Sequence, residues 1–239
     1  MAPHAQIDAG HMDGYSTYSS NGSNDSGSLF TVDSADVNYT DAQISSKYVY
    51  RTTAVTKTAT GNYVAKPKET NYEFKVDRKV GRVGMMLVGL GGNNGTTVTA
   101  GIMANRRNLV WDTKTGKQAA NYYGSVMMGS TVKLGTDEST GEEINVPFNS
   151  VLPMAHPNDL VIGGWDISGM NLADAMDRAK VLEPSLKQLV RKEMSYMKPL
   201  PSIYYPDFIA ANQEDRADNV LPGSKACWEH VEQLQKDIR

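Results

Sequence analysis

One short stretch constrains this chain more than any other: Gly89-Leu90-Gly91-Gly92-Asn93-Asn94-Gly95. It follows directly on an apolar run, Val83-Gly84-Met85-Met86-Leu87-Val88. It leads directly into Thr96 to Ala104, a helical segment with Val98 and Ile102 on one face. A short, nearly continuous apolar run is the pattern of a strand buried on both faces. Strand, glycine turn and helix in immediate succession are the setting of a dinucleotide-binding turn. Glycines permit the tight bend, let the backbone approach a pyrophosphate, and aim the first helical amides at its charge.

The loop departs from the strict G-x-G-x-x-G pattern. Gly89 and Gly91 fill its first two positions, Asn94 occupies the third, and Gly95 comes one residue later. The strict pattern also expects an acid about 20 residues on, for the ribose hydroxyls. Asp112 lies in that range, but Trp111-Asp112-Thr113-Lys114-Thr115-Gly116 reads as a turn and Asp112 is not taken as a ligand. A P-loop is excluded, because the Lys-Ser/Thr pair that would hold phosphates and magnesium is missing. On spacing alone the loop indicates a nucleotide site and no more. A merely tight strand-to-helix connection is the other reading that spacing allows.

Beyond the loop the chain alternates strand and helix. Leu160 to Gly164 is a second buried-strand candidate. Leu172, Met176, Ala179, Leu182, Leu186, Leu189 and Val190 then follow at helical spacing, with Pro184 expected to break or kink the stretch. Pro201 to Pro206 reads as a further short strand, and residues from Ser224 onward as a last helix. Strands separated by helices predict an α/β fold with a Rossmann-like parallel sheet. Ahead of it, Tyr48 to Val55 and Asn62 to Ala65, with Gly61 between them, read as short strands that need another surface to pack on. The polar, low-complexity start offers too little apolar surface to offset its ordering entropy. The expected division is therefore a disordered tail over 1–27, a β-rich segment over 28–78 that packs on something else, and a Rossmann-like domain with the nucleotide loop over 79–239.

Composition narrows the function. Hydrophobic residues at 40% and charged residues at 21% are ordinary for a globular chain, and a net charge of -3 gives no electrostatic reason to expect nucleic acid or an anionic membrane as partner. The densest basic cluster, Arg106-Arg107, sits near a predicted helix end, where it complements the helix dipole. With Cys227 the sole cysteine, no disulfide closes within the chain and no cysteine metal site forms. No signal peptide and no apolar run of about 20 residues is visible, so the expected setting is cytosolic. No two of His4, His11, His156 and His230 have metal-ligand spacing, and no metal is expected. Asp137-Glu138 and Glu142-Glu143 read as solvated loop, not a carboxylate dyad.

Several blocks in order point further. Gly89 to Thr97 resembles the glycine-asparagine signature of the myo-inositol-1-phosphate synthases. Gly124-Ser125, Ser130 to Gly135, Pro147 to Met154, Pro157 to Asp159 and Gly164 to Ser168 resemble the same family. The most specific block is Lys198-Pro199-Leu200-Pro201-Ser202-Ile203-Tyr204-Tyr205-Pro206-Asp207-Phe208-Ile209-Ala210-Ala211-Asn212-Gln213. The similarity runs from about Asn71 to the last residue. Several long blocks in the right order are far harder to obtain by chance than one glycine loop.

The resemblance implies NAD as cofactor and glucose 6-phosphate as substrate. It would put Gly89, Gly91, Gly92, Asn93 and Asn94 around the NAD pyrophosphate and Asp166 on the adenosine side. Ser202, Ile203, Gln213 and Arg216 would complete the shell. Taken without the resemblance, Asp166 would read as a helix N-cap, Ser202 as a turn former, and Gln213 and Arg216 as surface. The chemistry implied is an internal redox cycle: oxidation of one carbon of the open-chain sugar phosphate, ring closure by the enolate so formed, and reduction of the ring ketone. The resemblance implies that the family's catalytic lysines and phosphate-binding residues lie downstream of Arg239, so the chain is expected to be a fragment with no catalytic residue of its own. The complete enzyme is expected to be a homotetramer. An ordinary NAD-dependent dehydrogenase and a non-catalytic NAD-binding regulator are the alternatives.

Overall fold

The computed structural model describes residues 29–208, 211–223 and 227–239, so the expected tail over 1–27 lies outside the described residues. The first sheet comprises β1 (Val37–Tyr39), β2 (Gln43–Lys57) and β3 (Tyr63–Asp77), antiparallel and in that order. The β-branched and aromatic runs seeded these strands, but β2 and β3 reach 15 residues each, well past the runs themselves. Pro67 is tolerated because β3 is an edge strand, where a missing amide donor breaks no inner ladder. No residue of β2 or β3 is buried, and Val55, Tyr63 and Phe74 are 59%, 72% and 51% exposed.

The motif-bearing part begins with β4 (Gly84–Val88) and α1 (Asn93–Arg106). Two antiparallel hairpins follow, β5 (Val110–Thr113) with β6 (Gly116–Ala119), and β7 (Thr131–Thr136) with β8 (Glu143–Pro147). The short helix α2 (Val126–Gly129) lies between them. Next come β9 (Val161–Asp166), α3 (Leu172–Ala179), α4 (Pro184–Met194), β10 (Leu200–Pro201) and α5 (Trp228–Ile238). β4, β9 and β10 form a parallel sheet in the order β10-β9-β4. The fold is α/β and Rossmann-like.

The core lies on one face of this sheet. Leu90, Ala100, Met103, Leu172, Met176, Leu186, Val190 and Met194 are buried together, with Leu87 of β4 and Ile162 of β9 packed against them. Each buried leucine, valine or methionine among them contributes roughly 1.5–3 kcal/mol, and Ala100 less. Strand alternation turns Trp165 to the opposite face, where its indole N–H donates to Asp237 Oδ2 of α5 at 2.7 Å. Helices therefore lie on both sides, but the second face is only partly covered. Val88 is 86% exposed, which corrects the expectation of a β4 strand buried on both faces.

Other expectations are redrawn. In α1, Ile102 is buried but Val98 is exposed. The inward stripe is Thr96, Thr99, Ala100 and Met103, and its two hydroxyls donate to the carbonyls of Gly92 and Gly95. A threonine that satisfies its own hydroxyl one turn back can be buried as a small apolar residue. The long helical stretch does divide, but at Lys180, which ends α3 in the left-handed conformation (φ 54°). Pro184 opens α4 in the first turn, where its missing N–H costs nothing. The expected strand from Pro201 to Pro206 is limited to Leu200–Pro201 with one further bridge from Ser202 to Val220. Arg106 and Arg107 donate to backbone carbonyls of Asn158, Leu160 and Leu189. They tie α1 to its neighbours besides ending it.

Candidate cofactor site

The loop after β4 is built as a backbone turn over the tip of β9. Gly89 and Leu90 both donate their amides to the Trp165 carbonyl, at 2.8 and 3.0 Å, and Gly92 N–H closes back on Gly89 O at 2.9 Å. Gly89 takes φ +81°, which a side chain would strain. Gly95 is required for a different reason. A Cβ there would overlap the carbonyl oxygen of Leu90, so only glycine lets α1 sit this close to the strand end. Gly95 thus does the work of the third glycine, one residue later than the pattern, and sequence reasoning had left it out of the site. Its position inside the loop was the available signal.

Helix α1 starts with Gly92 as N-cap, with no side-chain cap and no acid in its first turn. Its positive end therefore has no negative partner within the helix, which is the condition for holding an anion. Asn93 and Asn94 stand exposed at that end.

Asp166 ends β9 and is 2% exposed. Its Oδ1 accepts from Ser168 N–H and from Arg216 Nη1, both at 3.0 Å. Its Oδ2 is buried with no partner. A Cβ on Gly91 would come within 3.3 Å of that oxygen, so the missing side chain leaves a cradle between the loop and the carboxylate. A buried carboxylate oxygen without a donor is costly. A ribose hydroxyl is a donor of the right kind. Asp166 is no N-cap: Asn171 caps α3, its side chain accepting from Asp174 N–H.

The remaining expected residues gather nearby. Arg216 links Asp166 to Gln213, donating from Nε to Gln213 Oε1 at 2.5 Å, and both are half-buried. Ser202 and Ile203 follow β10, and Ser202 is fixed by backbone bonds to Asn219 and Leu221. Asn219 Nδ2 also donates to the carbonyls of Asp166 and Pro199, bracing the ends of β9 and β10 against each other. The fold thus gathers the expected residues at the carboxyl ends of β4, β9 and β10, where ligands of open α/β sheets bind. Gly91 has a second neighbour that sequence did not flag: Arg178 Nη2 of α3 donates to its carbonyl at 2.8 Å.

Other candidates fall away from this edge. Asp112 is on β5 opposite Lys117, in a separate hairpin. Asp137 organises the β7–β8 turn: Ser139 hydroxyl and the Ser139 and Thr140 amides hold its carboxyl low, at about 2. His156 caps a 3-10 turn, and His230 is buried between Tyr205 and the Pro222 carbonyl. His4 and His11 lie outside the described residues.

Comparison with known proteins agrees with this geometry. An NAD-binding family model described as myo-inositol-1-phosphate synthase matches residues 83–239. The chain is 52% identical over 210 residues to inositol-3-phosphate synthase of Dictyostelium discoideum, covering 88% of this chain and 40% of that protein. It is 51% identical over 208 residues to inositol-3-phosphate synthase 1 of Mus musculus, covering 87% and 37%. A crystal structure of inositol-3-phosphate synthase from Caenorhabditis elegans superposes with a TM-score of 0.79 at 48% identity, over 88% of this chain and 41% of that one. The chain thus spans about 40% of the length of its relatives. With the match covering the glycine loop, Asp166 and the Ser202 block together, the chain belongs to the myo-inositol-1-phosphate synthase family and carries its NAD-binding domain.

Proposed function

We propose that this chain supplies the NAD-binding part of an inositol-3-phosphate synthase, an isomerase that converts glucose 6-phosphate to an inositol phosphate. The observation that carries the cofactor half is the buried, unpartnered Oδ2 of Asp166 beside Gly91. Family membership carries the reaction. In this reading the amides at the start of α1 and the loop of Gly89, Gly91, Gly92, Asn93 and Asn94 hold the pyrophosphate. Asp166 accepts from an adenosine ribose hydroxyl, held in place by Ser168 N–H and by Arg216, itself fixed by Gln213. Ser202 and Ile203 close the shell at the end of β10. When bound, NAD supplies a hydride acceptor and then returns that hydride, so the reaction is an isomerisation. The acid-base groups and the seat of the substrate phosphate are assigned to the part of the relatives' length that this chain does not span.

The division proposed is a β-rich segment over 28–78 and the NAD-binding domain over 79–239, in a homotetramer of the cytoplasm. Among the described residues no helix is long and apolar enough to cross a membrane, and the uncovered apolar side chains of β2, β3 and β4 supply surface for further packing.

The test joins this chain to the remaining length of the Dictyostelium relative and offers glucose 6-phosphate with NAD in trace amount. Inositol phosphate formed over many turnovers supports the proposal. Net accumulation of NADH would instead identify an ordinary dehydrogenase. NAD binding without turnover in that fusion would favour a non-catalytic, regulatory chain.

A further inference from the structure

Arg178 stands in the last turn of α3 and reaches the glycine loop at Gly91, the residue that also lines Asp166's cradle. Its Nη2 donates to Gly91 O at 2.8 Å, while its Nη1 is buried with no hydrogen-bond partner. Among the described residues no carboxylate lies within ion-pair distance of it. The two acids on its own helix are engaged elsewhere: Asp174 with Arg191, and Asp177 with Lys187 and Arg191. A guanidinium cannot shed its proton, so a half-buried one without a counter-charge is a standing cost. The negative end of the α3 dipole and the Gly91 carbonyl offset part of it, and an anion arriving from outside would offset the rest.

The place where that anion would sit is already defined. The Gly91–Gly92 peptide is planar and is held at both ends, its carbonyl by Arg178 and its N–H by Gly89 O. The Gly91 carbonyl oxygen is a group of the loop that would repel a phosphate, and the guanidinium holds it. Immediately after comes the positive end of α1, which has neither a side-chain cap nor an acid in its first turn. Unpaired cation, fixed peptide and bare helix end meet at one residue.

We propose that Arg178 is a positioning residue for the pyrophosphate of the cofactor: it holds the Gly91 carbonyl aside and presents the positive charge that the pyrophosphate offsets. This rests on the NAD reading of the site. It predicts that Arg178 matters to the charged centre of the ligand and not to its nucleoside. The experiment measures binding of ADP by calorimetry and of adenosine by ligand-observed NMR, for this chain and for Arg178→Met and Arg178→Lys. The Met variant should bind ADP about tenfold or more weakly, the loss of a charge-assisted interaction, with adenosine within about twofold of the parent. The Lys variant, which keeps the charge but not the fork, should fall between. Thermal unfolding identifies any variant that fails to fold, and Arg178→Gln then stands in for Met.

Equal losses for ADP and adenosine would mean that Arg178 only shapes the loop, and would overturn the proposal. So would unchanged ADP affinity. A parent chain that binds neither NAD nor ADP would overturn the cofactor reading itself, which is a different result from either.

Discussion

Asp166→Asn tests the proposed ribose contact of the buried Oδ2 with almost no change of shape. In the parent, Oδ1 already accepts from Ser168 N–H and Arg216 Nη1, and Oδ2 faces Gly91 unpartnered. An asparagine must keep its carbonyl oxygen toward those two donors. Its amide NH2 then faces the cradle, a donor where the cofactor hydroxyl needs an acceptor. The variant loses one hydrogen bond to a charged group, worth about 1.5–3 kcal/mol. At about 1.4 kcal/mol per decade, that is a fall in NAD affinity of about tenfold to 150-fold. The same substitution removes the negative charge that would oppose a 2′-phosphate and leaves Arg216 without its carboxylate, so the preference for NAD over NADP should shrink more than NAD affinity alone. Calorimetric titration with both dinucleotides at one salt concentration measures this. A thermal midpoint for each protein separates binding from folding. NAD affinity within about twofold of the parent, in a folded variant, would refute the assignment, because the buried oxygen would then have no part in the ribose contact.

Two further substitutions test the frame around the site. Gly95→Ala puts a methyl group into the Leu90 carbonyl, a backbone atom that cannot swing aside, and should destabilise the chain by about 1–3 kcal/mol or more in urea unfolding; an unchanged midpoint would mean that α1 is free to shift. Tyr122 is the clearest pH probe: burial pushes its phenol up to about 12, against an opposing pull from Arg106, while its hydroxyl donates to Asn158 Oδ1 at 2.6 Å. The native state keeps a proton that the unfolded chain gives up from pH 10.0, so stability should fall between there and about 12. Tyr122→Phe should flatten that slope and cost about 1 kcal/mol at neutral pH, and a slope identical to the parent's in alkaline thermal melts would overturn the assignment.

The residues of this candidate site are legible in the sequence through different kinds of signal. The glycine loop was legible from local chemistry, because a strand, a tight turn and a helix leave a pattern within about a dozen residues. Asp166 was legible only through resemblance. Counting about 20 residues on from the loop reaches Asp112 instead, since the count assumes that the second parallel strand follows the first helix. Here two hairpins intervene, and the next parallel strand begins only at Val161. The acid at the end of β9 occupies the expected place in space and not in the count.

Arg178 shows the limit of pattern reading from the other side. The helical spacing of Leu172, Met176 and Ala179 marks them as inward; Ala179 is only half-buried, but Leu172 and Met176 are buried. By the same rule an arginine two residues further on belongs to the solvent side, as Asp174 does. Its side chain is long enough to reach back toward the helix start and meet Gly91 across 87 positions of sequence. Apolar periodicity reports which residues leave water, and it is silent on which charge is carried in beside them. The same silence explains Val88, whose apolar run was right about strand formation and wrong about cover. What covers a face, and what answers a buried charge, are properties of the partner, and here the partner of Arg178 is proposed to be the cofactor itself.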